Sequence, residues 1–126
     1  MSWDVVLFSS SEKIRSIETL DPKALKPADF CKKLKAHFPG IEEEEDFRLI
    51  SIGESTIEYT YNVTPVNNMM LNLYGEPALT ALAAFAKKNG YQIFDTALNA
   101  MLDLNKPEVN GYKNYLIDLK KDLLKK

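Results

Sequence analysis

Residues 47–74 read FRLISIGESTIEYTYNVTPVNNMMLNLY, and the fold depends on how this stretch divides. Phe47 to Ile52 and Thr56 to Val63 have the β-branched and aromatic content of strands, and Gly53-Glu54-Ser55 between them is a hairpin connection. In the second run Ile57, Tyr59, Tyr61 and Val63 alternate with Glu58, Thr60 and Asn62, a period of two that sends one set to a core and the other to water. After Thr64-Pro65, the chain from about Val66 to Tyr74 gives a third strand, with Met69, Leu71 and Leu73 on one side and Met70, Asn72 and Tyr74 on the other. Together they predict an antiparallel meander.

Helices flank this block. Downstream, Gly75-Glu76-Pro77 opens the clearest helix in the chain, Asn89-Gly90 closes it, and Leu79, Leu82, Ala83 and Ala86 form its apolar stripe. Tyr91 to Leu98 follows as a central strand and Met101 to Leu104 as a short further one. A last helix from about Pro107 to Leu124 spaces Tyr112, Leu116, Leu119 and Leu123 for one face, with Gly111 weakening its first turns. Upstream, a helix from about Pro27 to Phe38 puts Phe30, Cys31, Leu34 and Phe38 on one face and Lys32, Lys33 and Lys35 on the other, and Pro39-Gly40 stops it. Ser11-Glu12-Lys13-Ile14 suggests a short helical turn. Trp3 to Phe8 is an apolar first strand suited to a central position. Three strands in a row between helices argue against a doubly wound parallel sheet. The expected fold class is α+β: a largely antiparallel sheet of five or six strands with three helices mainly on one face, in a split, ferredoxin-like arrangement.

All of this fits one domain over residues 1–126, since no linker, repeat or low-complexity segment divides the chain and its length suits a single core. Hydrophobic residues at 45% and charged residues at 27% are ordinary for a globular domain. One cysteine, Cys31, and one histidine, His37, exclude an internal disulfide and a thiolate zinc module. Met1-Ser2-Trp3-Asp4 places an acid where a secretory leader needs positive charge. The longest apolar stretch, Ala78 to Ala86, is about half of the ~20 residues that cross a bilayer. A cytoplasmic protein without membrane contact is expected, in which Asn62-Val63-Thr64 is a chance glycosylation pattern.

The net charge of -2 is unevenly spread. Residues 40–76 hold eight acids against Arg48 alone, whereas both flanking segments are basic. Lys120, Lys121, Lys125 and Lys126 suit the C-terminal turns of a helix, where cations oppose the macrodipole. Arg15 and Arg48 are the only arginines, and the lysines lack interleaved aromatics, so nucleic acid is not an expected partner. Glu42, Glu43, Glu44, Glu45 and Asp46 are consecutive, with Glu54 and Glu58 following. The run reads either as a solvated loop or as a docking surface that steers a basic partner. It lacks the alternating ligands and central glycine of a calcium loop.

No phosphate loop, dinucleotide fingerprint, nucleophile elbow or metalloprotease motif occurs, and no cofactor is implied. The strongest enzymatic candidates are Asp4, Asp95 and Asp103, each in or beside an apolar strand. If the strands of Asp4 and Asp95 are neighbours, the two acids can share a face for acid–base or metal chemistry. The structural alternative is that such an aspartate caps a turn or pairs with a backbone amide. Tyr59, Tyr61, Tyr74, Tyr91, Tyr112 and Tyr115 serve either a ligand pocket or the core. Cys31 reads as a small buried hydrophobe rather than a nucleophile.

Trp3-Asp4-Val5-Val6-Leu7-Phe8, Met70-Leu71-Asn72-Leu73-Tyr74-Gly75, Tyr91-Gln92-Ile93-Phe94-Asp95-Thr96, Met101-Leu102-Asp103-Leu104 and Asn110-Gly111-Tyr112 together resemble a family of small uncharacterised bacterial proteins of about this length. That family begins with a Trp-Asp strand and carries a Gln-Ile-Phe-Asp-Thr strand before its last helix; the resemblance transfers no catalytic residue. Size, acidity and lack of catalytic motifs also resemble the immunity proteins of bacterial toxin systems, which implies a non-enzymatic inhibitor covering a basic toxin. Under that expectation Glu42, Glu43, Glu44, Glu45, Asp46, Glu54 and Glu58 form the partner-binding surface. The alternatives are a small enzyme or metal-binding domain built on Asp4, Asp95 and Asp103, and a small-ligand or self-association module using the aromatic sheet face.

Overall fold

The computed structural model describes residues 2–62 and 64–124, so expectations placed on Met1, Val63, Lys125 and Lys126 fall outside the described residues. Seven strands, β1 (Trp3–Phe8), β2 (Glu42–Glu43), β3 (Phe47–Ile52), β4 (Ser55–Thr60), β5 (Asn68–Tyr74), β6 (Gln92–Asp95) and β7 (Ala100–Met101), make one sheet in the order β2-β3-β4-β5-β1-β6-β7. Every neighbouring pair is antiparallel. The helices are α1 (Phe30–His37), α2 (Glu76–Asn89) and α3 (Tyr112–Leu124), with one 3-10 turn among the described residues at Pro22–Ala24.

The fold is therefore α+β, with β3-β4-β5 forming the expected meander and β1 at the centre between β5 and β6. The four strands β6-β1-β5-β4 keep the split order, with β5 between β1 and β4. The strand count exceeds the expected five or six because Glu42–Glu43, read as part of a loop, pairs with Leu49 and Arg48 as an edge strand. Consecutive glutamates carry no alternation of polarity, so periodicity is blind to such a strand.

Side-chain alternation sorts the sheet into two faces. Trp3, Val5 and Leu7 of β1, Ile57 and Tyr59 of β4, Leu71 and Leu73 of β5 and Ile93 of β6 point into the core. There they meet Phe30, Cys31 and Leu34 of α1 and Leu79, Leu82, Ala83, Phe85 and Ala86 of α2. Both helices thus cover one face, on the stripes their sequences set out. Fully burying one Leu or Phe side chain contributes roughly 1.5–3 kcal/mol, so this layer dominates stability. His37 packs edge-on against Phe38 and Phe85, with ring centroids at 4.6 and 5.4 Å.

Two helix starts differ from expectation. Pro27 and Ala28 are extended, and Ala28 exchanges backbone hydrogen bonds with Val66 at 2.9 and 3.1 Å, so α1 begins only after Asp29, whose carboxylate caps the Lys32 N–H. Pro107–Gly111 forms turns rather than helix, and α3 starts at Tyr112. Its apolar face is only partly used: Tyr112 packs partly buried against the core, no residue of α3 is fully buried, and Leu116 and Leu123 are exposed. Ser11–Ile14 is not helical. Instead, Ile14 N–H donates to Gln92 Oε1 at 2.8 Å and Gln92 Nε2 donates to the Glu12 carbonyl at 2.9 Å. Phe8, Ile14 and Ala24 are buried outside the main core cluster.

Candidate acidic face and aspartate hub

Register across the outer face sets the acids in order. Glu42 stands opposite Leu49, Leu49 opposite Glu58, Glu58 opposite Asn72, and Asn72 opposite Asp4. One cross-strand row therefore carries three carboxylates, separated by Leu49 and Asn72. Asn72 Nδ2 donates to Asp4 Oδ1 at 2.7 Å and fixes that end. Beside it runs an apolar row of Met70, Val6, Phe94 and Met101. Met70 is 53% exposed, while α1 and α2 lie on the opposite face.

The remaining acids of the run occupy the turn between β2 and β3. Glu44, Glu45 and Asp46 are exposed. Their backbone is nonetheless pinned: Glu44 N–H donates to Phe47 O at 3.0 Å, Tyr61 N–H donates to Asp46 O at 2.8 Å, and Arg48 Nη1 donates to the carbonyls of Glu44 and Phe47. Arg48 thus serves the turn through carbonyls and, among the described residues, forms no ion pair with its carboxylates. Glu43 points to the helix side, where Lys35 Nζ lies 2.7 Å from Oε1 and holds the carboxyl below its usual range. Glu54 sits in the β3–β4 turn, at the far end of both strands from Glu44–Asp46. Of the seven expected partner-binding residues, Glu42, Glu44, Glu45, Asp46 and Glu58 therefore group at one corner, Glu43 turns away into an ion pair, and Glu54 stands apart.

The three candidate aspartates do not meet. Asp4 and Asp95 lie on neighbouring strands, as the shared-site reading required, but Asp4 faces outward and Asp95 inward. Asp95 is 0% exposed, and both its oxygens are engaged. Oδ1 accepts from Trp3 Nε1 at 2.8 Å, Ala97 N–H at 3.0 Å and Leu98 N–H at 3.3 Å, and Oδ2 accepts from Gly111 N–H at 2.7 Å. This is the turn-capping role of the structural alternative, extended to tie the sheet to the start of α3. Asp103 is exposed and caps Asn105 N–H at 2.9 Å. Among the described residues, no group of three His, Cys, Asp or Glu side chains is placed to hold a metal.

The tyrosines divide. Tyr59 and Tyr91 are buried, Tyr112 and Tyr115 pack on Trp3 with centroids at 5.3 and 6.4 Å, and Tyr61 and Tyr74 stay partly exposed. A cavity of about 360 Å3 lies between α1, the edge hairpin and the end of β4, with Cys31, Arg48 and Tyr59 in its wall. Sequence reading missed it because its wall comes from separate elements; the one available signal was a tyrosine at an inward-facing position. No described helix is long and apolar enough to cross a membrane. No family model, curated protein or solved structure matches the chain.

Proposed function

We propose that this chain is a non-enzymatic protein-binding domain of the bacterial cytoplasm, an immunity-type inhibitor that neutralises a basic toxin. The observation that carries the reading is the row Glu42-Leu49-Glu58-Asn72-Asp4 beside the apolar row Met70-Val6-Phe94-Met101. Apolar contact area flanked by charge is the anatomy of a specific protein interface. Clustered carboxylates of one sign also raise association rates with a cationic surface. The pinned Glu44–Asp46 turn adds three acids at the rim of the same face without flexible chain to immobilise on binding.

The test is capture of purified basic nuclease toxins by interferometry at low and high salt. Replacing Glu42, Glu45 and Glu58 together by lysine is expected to lower the association rate at least about tenfold at low salt. Glu54→Lys, at the other end of the strands, is expected to change it little. Capture that survives the triple reversal, or that falls equally in Glu54→Lys, overturns the proposal.

A further inference from the structure

The cavity behind the edge hairpin contains an unspent hydrogen-bonding group. Tyr59 is 1% exposed, and its hydroxyl is buried with no hydrogen-bond partner. Buried hydroxyls are nearly always satisfied, so an orphan in a cavity wall is left for a water or a guest molecule to bond. Tyr59 stands directly opposite Arg48 in the β3–β4 register, on the inward side of both strands. Cys31, Arg48 and Glu43, all in the cavity wall, are the charged or ionisable groups that act on its hydroxyl.

The charges around the cavity are not balanced. Asp29 caps α1 through the neutral Lys32 N–H at 3.1 Å and keeps its negative charge. Glu43 and Lys35 neutralise each other at 2.7 Å. Arg48 lies with its guanidinium carbon 3.9 Å from the Tyr61 ring centroid, and Nη1 is held by two carbonyls. Among the described residues, no carboxylate lies within ion-pair distance of Arg48 or Lys32. Three cations, Lys32, Lys35 and Arg48, face two carboxylates, Asp29 and Glu43, so the wall carries one net positive charge beside the Tyr59 hydroxyl. That surplus, with a hydroxyl able to donate, favours an acceptor with negative charge over a cationic guest. Ile41 and the Tyr61 ring supply an apolar wall for the rest of the guest. Cys31 contributes its thiol in the neutral form, burial pushing it up from the usual range, so it is a wall and not a nucleophile.

We propose that this cavity binds a small organic anion, a molecule bearing one carboxylate or phosphate group on an apolar body, with Arg48 and Lys32 holding the charge and the Tyr59 hydroxyl bonding an oxygen at the floor. The volume, near the lower end of small-molecule pockets, suits a single-ring molecule. Arginine's planar fork matches either anion, so the wall alone selects the charge and the probes select the group.

The experiment is titration of the full chain with phenyl phosphate, benzoate, benzyl alcohol and inorganic phosphate, followed by backbone amide shifts in NMR. Phenyl phosphate or benzoate, to about 10 mM, is expected to give saturable shifts at Cys31, Lys32, Arg48 and Tyr59. A response to one alone identifies the group recognised. Benzyl alcohol is expected to give none. Tyr59→Phe removes only the orphan hydroxyl, so it is expected to keep or raise the melting temperature while weakening binding about five- to tenfold. Arg48→Met is expected to abolish binding. Absence of saturable shifts with both aromatic anions overturns the proposal, as do shifts undiminished in Tyr59→Phe and Arg48→Met. Inorganic phosphate binding that ignores the Tyr59 substitution, with no response to the aromatic anions, also overturns it, as surface lysine contact.

Discussion

Trp3 Nε1 donates to Asp95 Oδ1 at 2.8 Å, joining residues 92 positions apart in the middle of the core. The same carboxylate receives the N–H groups of Ala97, Leu98 and Gly111, so one side chain closes the turn after β6, anchors the entry to α3 and seats the indole on which Tyr112 and Tyr115 pack. An acceptor serving four buried or half-buried donors is costly to lose, because each orphaned donor keeps its desolvation penalty. Asp95→Ala is expected to destabilise the fold by about 3–5 kcal/mol, and Trp3→Phe by about 1–3 kcal/mol. Urea unfolding checks both. A loss below about 1 kcal/mol in Asp95→Ala would show that the hub is dispensable.

Gly111 is needed for close approach. A Cβ there would lie 2.3 Å from Leu98 N and 2.6 Å from the Ala97 carbonyl carbon, both backbone atoms that cannot rotate away. Gly111→Ala is expected to cost about 1–3 kcal/mol and to weaken the Gly111–Asp95 bond, lowering helical circular dichroism as α3 loses its anchor. Gly75→Ala meets a different obstacle: φ is +112° and the new Cβ would fall 2.2 Å from Ser55 Oγ. A comparable loss is expected there, without the change in α3.

What the sequence disclosed and what it hid follow from the same physics. Strands β4 and β5 were legible because burial on one face imposes a period of two, β1 and β3 through their apolar, β-branched and aromatic content, and α2 because its stripe and caps agree. Residues 107–111 looked helical because Pro107 is a good helix opener, but helical geometry there would pull Gly111 N–H off Asp95, and that tertiary bond wins. The acids were visible as a run, yet only register separates Glu42 and Glu58, which share a row, from Glu43, which turns inward, and Glu54, which lies at the other end. Asp95 was readable as a turn cap through its own neighbours; its bonds to Trp3 and Gly111 were not, since nothing local encodes a partner so distant in sequence.

Alkaline pH is expected to destabilise the protein in two steps. Burial is the main cause that raises both the Cys31 thiol from 9.0 and the Tyr59 hydroxyl from 10.0. In the unfolded chain both groups regain ordinary values and release protons first. Above pH 9 the unfolded state thus binds fewer protons than the folded state, and stability falls as pH rises. Below the unfolded values the contribution is complete. Cys31→Ala is expected to flatten the limb that begins near pH 9, and Tyr59→Phe to reduce the one that begins near pH 10, which Tyr74 and Tyr91, also raised by burial, share; each is read from urea midpoints across pH. The same burial predicts slow labelling of Cys31 by a thiol reagent at neutral pH in the folded protein and fast labelling in urea.

Helix α3 places apolar side chains where the fold does not need them. Leu116 is 42% exposed, Ile117 53%, Leu123 61% and Leu124 77%, in contrast to Leu82 of α2 at 0%. The helix is held at its first turns, by Tyr112 and Tyr115 on Trp3 and by Asn114 Nδ2 donating to the Ala97 carbonyl at 3.0 Å. A double change of Leu123 and Leu124 to glutamate is therefore expected to alter stability by no more than about 0.5 kcal/mol. Leu82→Ala is expected to cost about 2–5 kcal/mol, and Tyr112→Ala a value between the two because its ring covers Trp3. Urea midpoints at low and high protein concentration make the comparison. If the double glutamate variant loses more than about 1 kcal/mol, and more at high concentration, the end of α3 is covered in solution by another chain.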